Sequence, residues 1–185
     1  NDDILFNSLT DNFYRIKNYL TAGGRLLLST CRSLGNIAEG DLETFLGISS
    51  YSINNNVDFV GAAGLEDYPD VFLDMNKIPM PTWNDAFAYV YGFDSEVGAE
   101  TIYLFDALSD DPLWENQPCA LHYSDPFQVI VLGFPLYFME EASARELMIT
   151  ALSDLGEFTS AEGAITSGNC TLKIHPNPFN AITRI

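Results

Sequence analysis

A chain of 185 residues has room for one ordinary domain with a sizeable core and a short extra segment, which excludes two full domains. Its 47% hydrophobic and 13% aromatic content lies far from the composition of a disordered protein. With 26 acidic residues against 8 basic ones the formal net charge is −18, so nucleic acid and anionic membrane surfaces are excluded as expected partners. No run of about 18 apolar residues occurs, so no membrane-spanning helix is predicted. Asn1 follows neither an initiator Met nor a signal-peptide pattern, and the chain reads as a mature product or a piece of something longer. Cys31, Cys119 and Cys170 are too few and too irregularly spaced for a disulfide framework or a zinc site. Cys31 and Cys119 read instead as small, partly buried core residues.

In chain order, Ser8, Thr10 and Asp11 supply helix-start chemistry. Phe13, Ile16 and Leu20 then mark one helical face, which ends at Ala22, Gly23 and Gly24. Leu26, Leu27 and Leu28 predict a buried strand. Residues 41–46 form a short helix candidate, Asn54, Asn55 and Asn56 are turn material, and residues 57–60 predict a short strand. Residues 62–84 carry prolines and scattered aromatics without a sustained period, which predicts an irregular excursion with one strand near residues 71–73. Residues 86–91 and 101–105 (TIYLF) are further strand candidates. Residues 121–123 pair with residues 128–132 in a predicted hairpin across Ser124, Asp125 and Pro126.

The stretch from Phe127 to Gly156 (FQVIVLGFPLYFMEEASARELMITALSDLG) holds the strongest signal. Val129, Ile130, Val131 and Leu132 form an apolar run suited to a strand buried on both faces, Gly133 and Pro135 interrupt it, and an amphipathic helix follows from Glu140. Ala144, Leu147, Met148, Ala151, Leu152 and Leu155 fall on its apolar positions, and Gly156 is a ready cap. The expected fold is therefore α/β: a three-layer sandwich with a mostly parallel sheet and an antiparallel margin, with chemistry placed at the carboxyl ends of its strands.

Two segments, YLTAGGRLLLST and VIVLGFPLYFMEEASARELMITALSDLG, resemble the class I glutamine amidotransferase-like superfamily, in particular divergent members that form modules of large secreted bacterial proteins. The resemblance covers residues 8–156 and implies an amidotransferase-like or flavodoxin-like sheet. It also places Cys31 near the strand-to-helix elbow that holds the nucleophile of working amidotransferases. That chemistry needs a base or a positive field beside the thiol and backbone amides for the oxyanion. Ser29, Thr30, Cys31, Arg32 and Ser33 lack both glycines of the family's G-x-C-x-G elbow. Residues 133–140 (GFPLYFME) stand where its histidine motif lies, and they contain no histidine. His122, read as an edge-strand residue, is the candidate base if Cys31 is a nucleophile; His175 lies in the tail.

LKIHPNPFNAITRI at the end of the chain resembles the opening of the type IX secretion C-terminal sorting domain, through Pro176, Asn177, Pro178, Phe179 and Asn180. The expected organisation is an amidotransferase-like domain over residues 1–156, a linker over 157–170 and the truncated start of a sorting domain over 171–185. The resemblance implies secretion to the surface or medium of a Gram-negative bacterium. The implied partners are the secretion machinery and other domains of the parent chain; the oligomeric state is not legible.

Glu66, Asp67, Asp70, Asp74 and Asn76, and separately Asp106, Asp110 and Asp111, offer oxygens for weak Ca²⁺ binding, but neither group follows the calcium-loop pattern, and no cofactor is expected. Tyr89, Tyr91, Tyr103, Tyr123, Trp83 and Trp114 are either core aromatics or a glycan-stacking surface. The leading expectation is a non-catalytic accessory or interaction module of a larger exported protein such as a peptidase or other hydrolase. A thiol hydrolase or amidase built on Cys31 and His122 is the alternative, and a glycan-binding module the second alternative.

Overall fold

The computed structural model describes residues 12–30, 42–56, 58–78, 87–108 and 113–157. Cys31, the linker beyond Glu157 and the sorting-type segment from Pro176 to Asn180 lie outside them. The first described helix, α1 (Phe13–Thr21), buries Phe13 and Leu20, as their spacing requires. It stops where Gly23 enters the left-handed region at φ 83° and Gly24 donates its N–H to Tyr19 O at 2.9 Å. The chain then returns as β1 (Arg25–Ser29). After α2 (Leu42–Leu46) come β2 (Ile48–Asn54), β3 (Phe59–Gly64) and β4 (Val71–Phe72). The strands β5 (Val90–Ser95), β6 (Ala99–Ala107), β7 (Pro118–Tyr123) and β8 (Gln128–Leu132) follow. A 3₁₀ turn (Leu136–Phe138) then leads into α3 (Glu141–Asp154).

The main sheet has the order β1-β8-β7-β6-β3-β4, and β2 pairs with β5 in a separate two-stranded sheet. Val129 and Val131 of β8 pack with residues of α1, α2, β2 and β5 on one side, including Leu20, Leu46, Ile48 and Phe93. Ile130 and Leu132 pack on the other, with Leu147, Ala151 and Leu155 of α3 and the aromatics Phe59, Tyr103, Phe105 and Phe134. The period-2 alternation of strand side chains thus feeds two cores from one strand. All four of these β8 side chains are inaccessible to solvent. Each such burial contributes about 1.5–3 kcal/mol, which makes β8 the anchor of both cores.

The expected mostly parallel three-layer sandwich is wrong. Among the five pairings of the main sheet only β1 with β8 is parallel; β8–β7, β7–β6, β6–β3 and β3–β4 are antiparallel. A continuous apolar run reports burial on both faces, which parallel sheets always have. Here the antiparallel strands β7 and β8 are covered on both faces too, by α3 on one side and by α1, α2, β2 and β5 on the other. The pattern that signals burial therefore carries no information on strand direction. The predicted hairpin of β7 and β8 is present, with Tyr123 opposite Val129 and a cis Asp125–Pro126 bond in its turn. It extends into the body of the sheet and is not a margin. The strand expected over residues 86–91 begins at Val90 instead, and the seven-residue strand β2 had no counterpart in the sequence reading.

Candidate functional site

The carboxyl ends of the parallel pair lie side by side, since Ser29 of β1 is in register with Leu132 of β8. Gly133 follows at once; its N–H donates to Cys119 O at 2.7 Å and its carbonyl accepts from Tyr91 N–H at 2.8 Å. A Cβ at this position would press on the carbonyl oxygens of both Tyr91 and Cys119, so glycine is required by close backbone approach. Ser29 Oγ donates to Phe134 O at 3.0 Å and accepts the Leu136 N–H at 3.0 Å, strapping the loop across the strand end. Phe134 is fully buried and its ring stacks on Phe59, with centroids 5.7 Å apart. Ser29 and the buried Phe134 thus tie the loop after β8 to the end of β1.

Past Pro135 the chain turns outward. Tyr137 is 74% exposed, and Met139 returns to the core and bridges to Leu73. Lys77 reaches in from the segment after β4, donating from Nζ to Met139 O at 2.8 Å and lying 3.5 Å from Asp74 Oδ2. Between this loop and the first turns of α3 is a shallow cavity of about 420 Å³ whose lining includes Lys77, Leu136, Tyr137, Glu141, Arg145 and Met148. It combines apolar side chains with two cations and the carboxylate of Glu141, in a strongly acidic chain.

The residues singled out in the sequence fall elsewhere. His122 sits on the inner strand β7, not on an edge, paired with Glu100 on one side and Ile130 on the other. Its side chain is 14% exposed and faces the end of α3, with Nδ1 4.0 Å from Asp154 Oδ2, while Nε2 is buried without a hydrogen-bond partner among the described residues. The same Asp154 oxygen accepts the Tyr68 hydroxyl at 2.6 Å. Burial first, and then this bond to a carboxylate, pushes the Tyr68 phenol well above the ordinary tyrosine range. Tyr103, whose hydroxyl donates to Pro69 O at 2.8 Å, is likewise raised, chiefly by burial. Through Ile130, His122 is level with Leu27 of β1, short of the strand's end. Cys31 lies outside the described residues. Cys119 is fully buried and burial pushes its thiol up, which keeps it protonated and unreactive.

The acidic residues have local duties. Asp70 accepts the Gly64 N–H at 2.9 Å, and Asp74 accepts the Asn76 N–H at 2.9 Å, which with Lys77 holds its carboxyl below the usual range. Asp106 is raised by burial and by the nearby carboxylates of Glu115 and Asp70. Among the described residues no group of three or more His, Cys, Asp or Glu side chains is arranged to hold a metal ion; Asp110 and Asp111 lie outside them. Tyr91, Tyr103 and Tyr123 are core side chains, Tyr89 and Trp114 are part-buried, and Trp83 lies outside the described residues.

The sequence reading missed Lys77, Tyr137, Arg145 and Met148 as a group. Glu141, Ala144, Arg145 and Met148 recur at the spacing of one helical face, a signal that was available. The approach of Lys77 across more than sixty residues of chain to Met139 was not. No protein-family model matches the chain, and no curated protein matches it either.

Proposed function

We propose that the chain is a non-catalytic interaction module of a larger exported bacterial protein, engaging its partners through the cavity between the 3₁₀ turn and α3. The observation that supports this reading is the open cavity beside the loop after β8, lined by Lys77, Arg145 and apolar side chains, next to a strand end that Ser29 ties to the backbone of that loop. The sequence supports it through the missing glycines around Cys31 and the missing histidine over residues 133–140. The sorting-type Pro176 to Asn180 segment supports export to the surface or medium of a Gram-negative cell, with the secretion machinery and the parent's other domains as partners.

The test is the rate of iodoacetamide labelling at Cys31 in the folded protein across pH 5 to 9, with Cys119 as the buried comparison. The expected profile rises only toward the ordinary thiol pKa of about 8.5. Rapid labelling on the acid side of neutrality, joined to a hydrolase or amidase activity lost in Cys31→Ala, would overturn the reading in favour of a thiol enzyme.

A further inference from the structure

We infer that the cavity beside α3 takes an acidic peptide segment of a partner protein, in which carboxylates alternate with apolar side chains. This rests on the reading of the chain as an interaction module and names what that module holds. The first observation is charge. Five cations fall among the described residues, and four are engaged: Arg15 donates to Asn12, Lys17 stands 4.8 Å from the centre of the Phe45 ring, Arg25 pairs with Glu157, and Lys77 lies 3.5 Å from Asp74. Only the Arg145 side chain has no hydrogen bond, ion pair or ring contact with a described residue, although Glu141 stands one turn away on the same helix. It lines the cavity together with Lys77. An idle guanidinium in a chain of net charge −18 marks the position where an incoming carboxylate gains most. The acidic surface elsewhere repels the same segment and so confines it to this place.

The second observation is shape. Small molecules are held in concavities that enclose most of their surface. This one is shallow, and its apolar wall reaches open surface at Tyr137, which is 74% exposed. A volume of about 420 Å³ bordered by such side chains suits a few residues of extended chain whose apolar groups rest on Tyr137 and Met148 while a carboxylate meets Arg145.

The probe is a fluorescein-labelled octapeptide alternating Glu and Leu, titrated by fluorescence anisotropy against the full chain, with Gln-for-Glu and Lys-for-Glu versions as controls. The Glu peptide is expected to saturate, the Gln version to bind about tenfold more weakly, and Arg145→Glu to weaken the Glu peptide by a similar factor, the worth of one charge-assisted hydrogen bond. Tyr137→Ser, at an exposed position that leaves the core intact, is expected to weaken both the Glu and Gln peptides. Absence of saturation up to about 1 mM, equal affinity for Arg145→Glu, or preference for the Lys peptide overturns the inference. Each of these leaves the module reading standing if Cys31 labels slowly. A reactive Cys31 removes that reading whatever the peptide does.

Discussion

The two ends of α3 put polar side chains to opposite uses. At its carboxyl end the partly exposed Asp154 takes the Tyr68 hydroxyl at 2.6 Å and lies 4.0 Å from the His122 ring. At its amino end the exposed Arg145 side chain has no partner among the described residues and borders a cavity that Lys77 shares. Between them Leu147, Ala151 and Leu155 fasten the helix to the sheet. A polar group that is buried and bonded holds a fold together, whereas one left idle at the surface contributes little to stability and is free to bind. Under the proposed function, the carboxyl end serves structure and the amino end recognition.

The strongest way to break that comparison is Leu147→Ala, because this fully buried side chain serves both ends. We expect a loss of about 2–5 kcal/mol in chemical denaturation, with the Tyr68 contact and the cavity loosened together. Tyr68→Phe should act on the carboxyl end alone, lowering stability by about 1–2 kcal/mol while leaving peptide binding unchanged. The same residue sets an alkaline limit. Tyr68 and Tyr103 are raised in the folded state, so their contribution is fully present below the unfolded tyrosine pKa of about 10 and is lost as pH rises beyond it, where the unfolded chain releases protons that the folded chain keeps. Unfolding midpoints measured from pH 9 to 11.5 should fall, and fall less steeply in Tyr68→Phe.

His122→Leu sharpens the structural assignment. Replacing a ring whose buried Nε2 has no partner among the described residues should raise stability by about 1 kcal/mol, and a loss of that size instead would give the ring a bonded role. Arg145→Glu is the smallest expected change, within about 0.5 kcal/mol by denaturation, and it should register only in the peptide titration.

Much of the local structure was legible in the residues. The run Val129 to Leu132, the interruption at Gly133 and the three-and-four spacing from Ala144 to Leu155 specify a buried strand, a turn and a helix, and Gly156 caps the helix at φ 69°. β2 escaped because its sequence, ISSYSIN, is rich in serine and its pairing with β5 shifts register between Ile48 and Ser50, which blurs the alternation. β5 was displaced because it runs through Gly92 and Asp94, poor strand formers, and Gly92 is fixed by the approach of Gln117 and Trp114. The candidate site was legible only in half: the loop after β8 was the expected place for chemistry, but the residues that give it character come from an unrelated segment and from the helix face that flanks the core.

What the residues determined alone is everything that depends on near neighbours in the chain: periodicity, turns, caps, the apolar strands and the acidic surface. Strand direction was decided by the tertiary structure, because an antiparallel strand covered on both faces has the same apolar pattern as a parallel one. So was the meaning of the polar residues. His122, Asp154 and Tyr68 become one part-buried cluster, and Lys77 and Arg145 one open site, only when segments far apart in sequence are brought together, and no local spacing encodes a contact whose two halves are set by separate stretches of the chain.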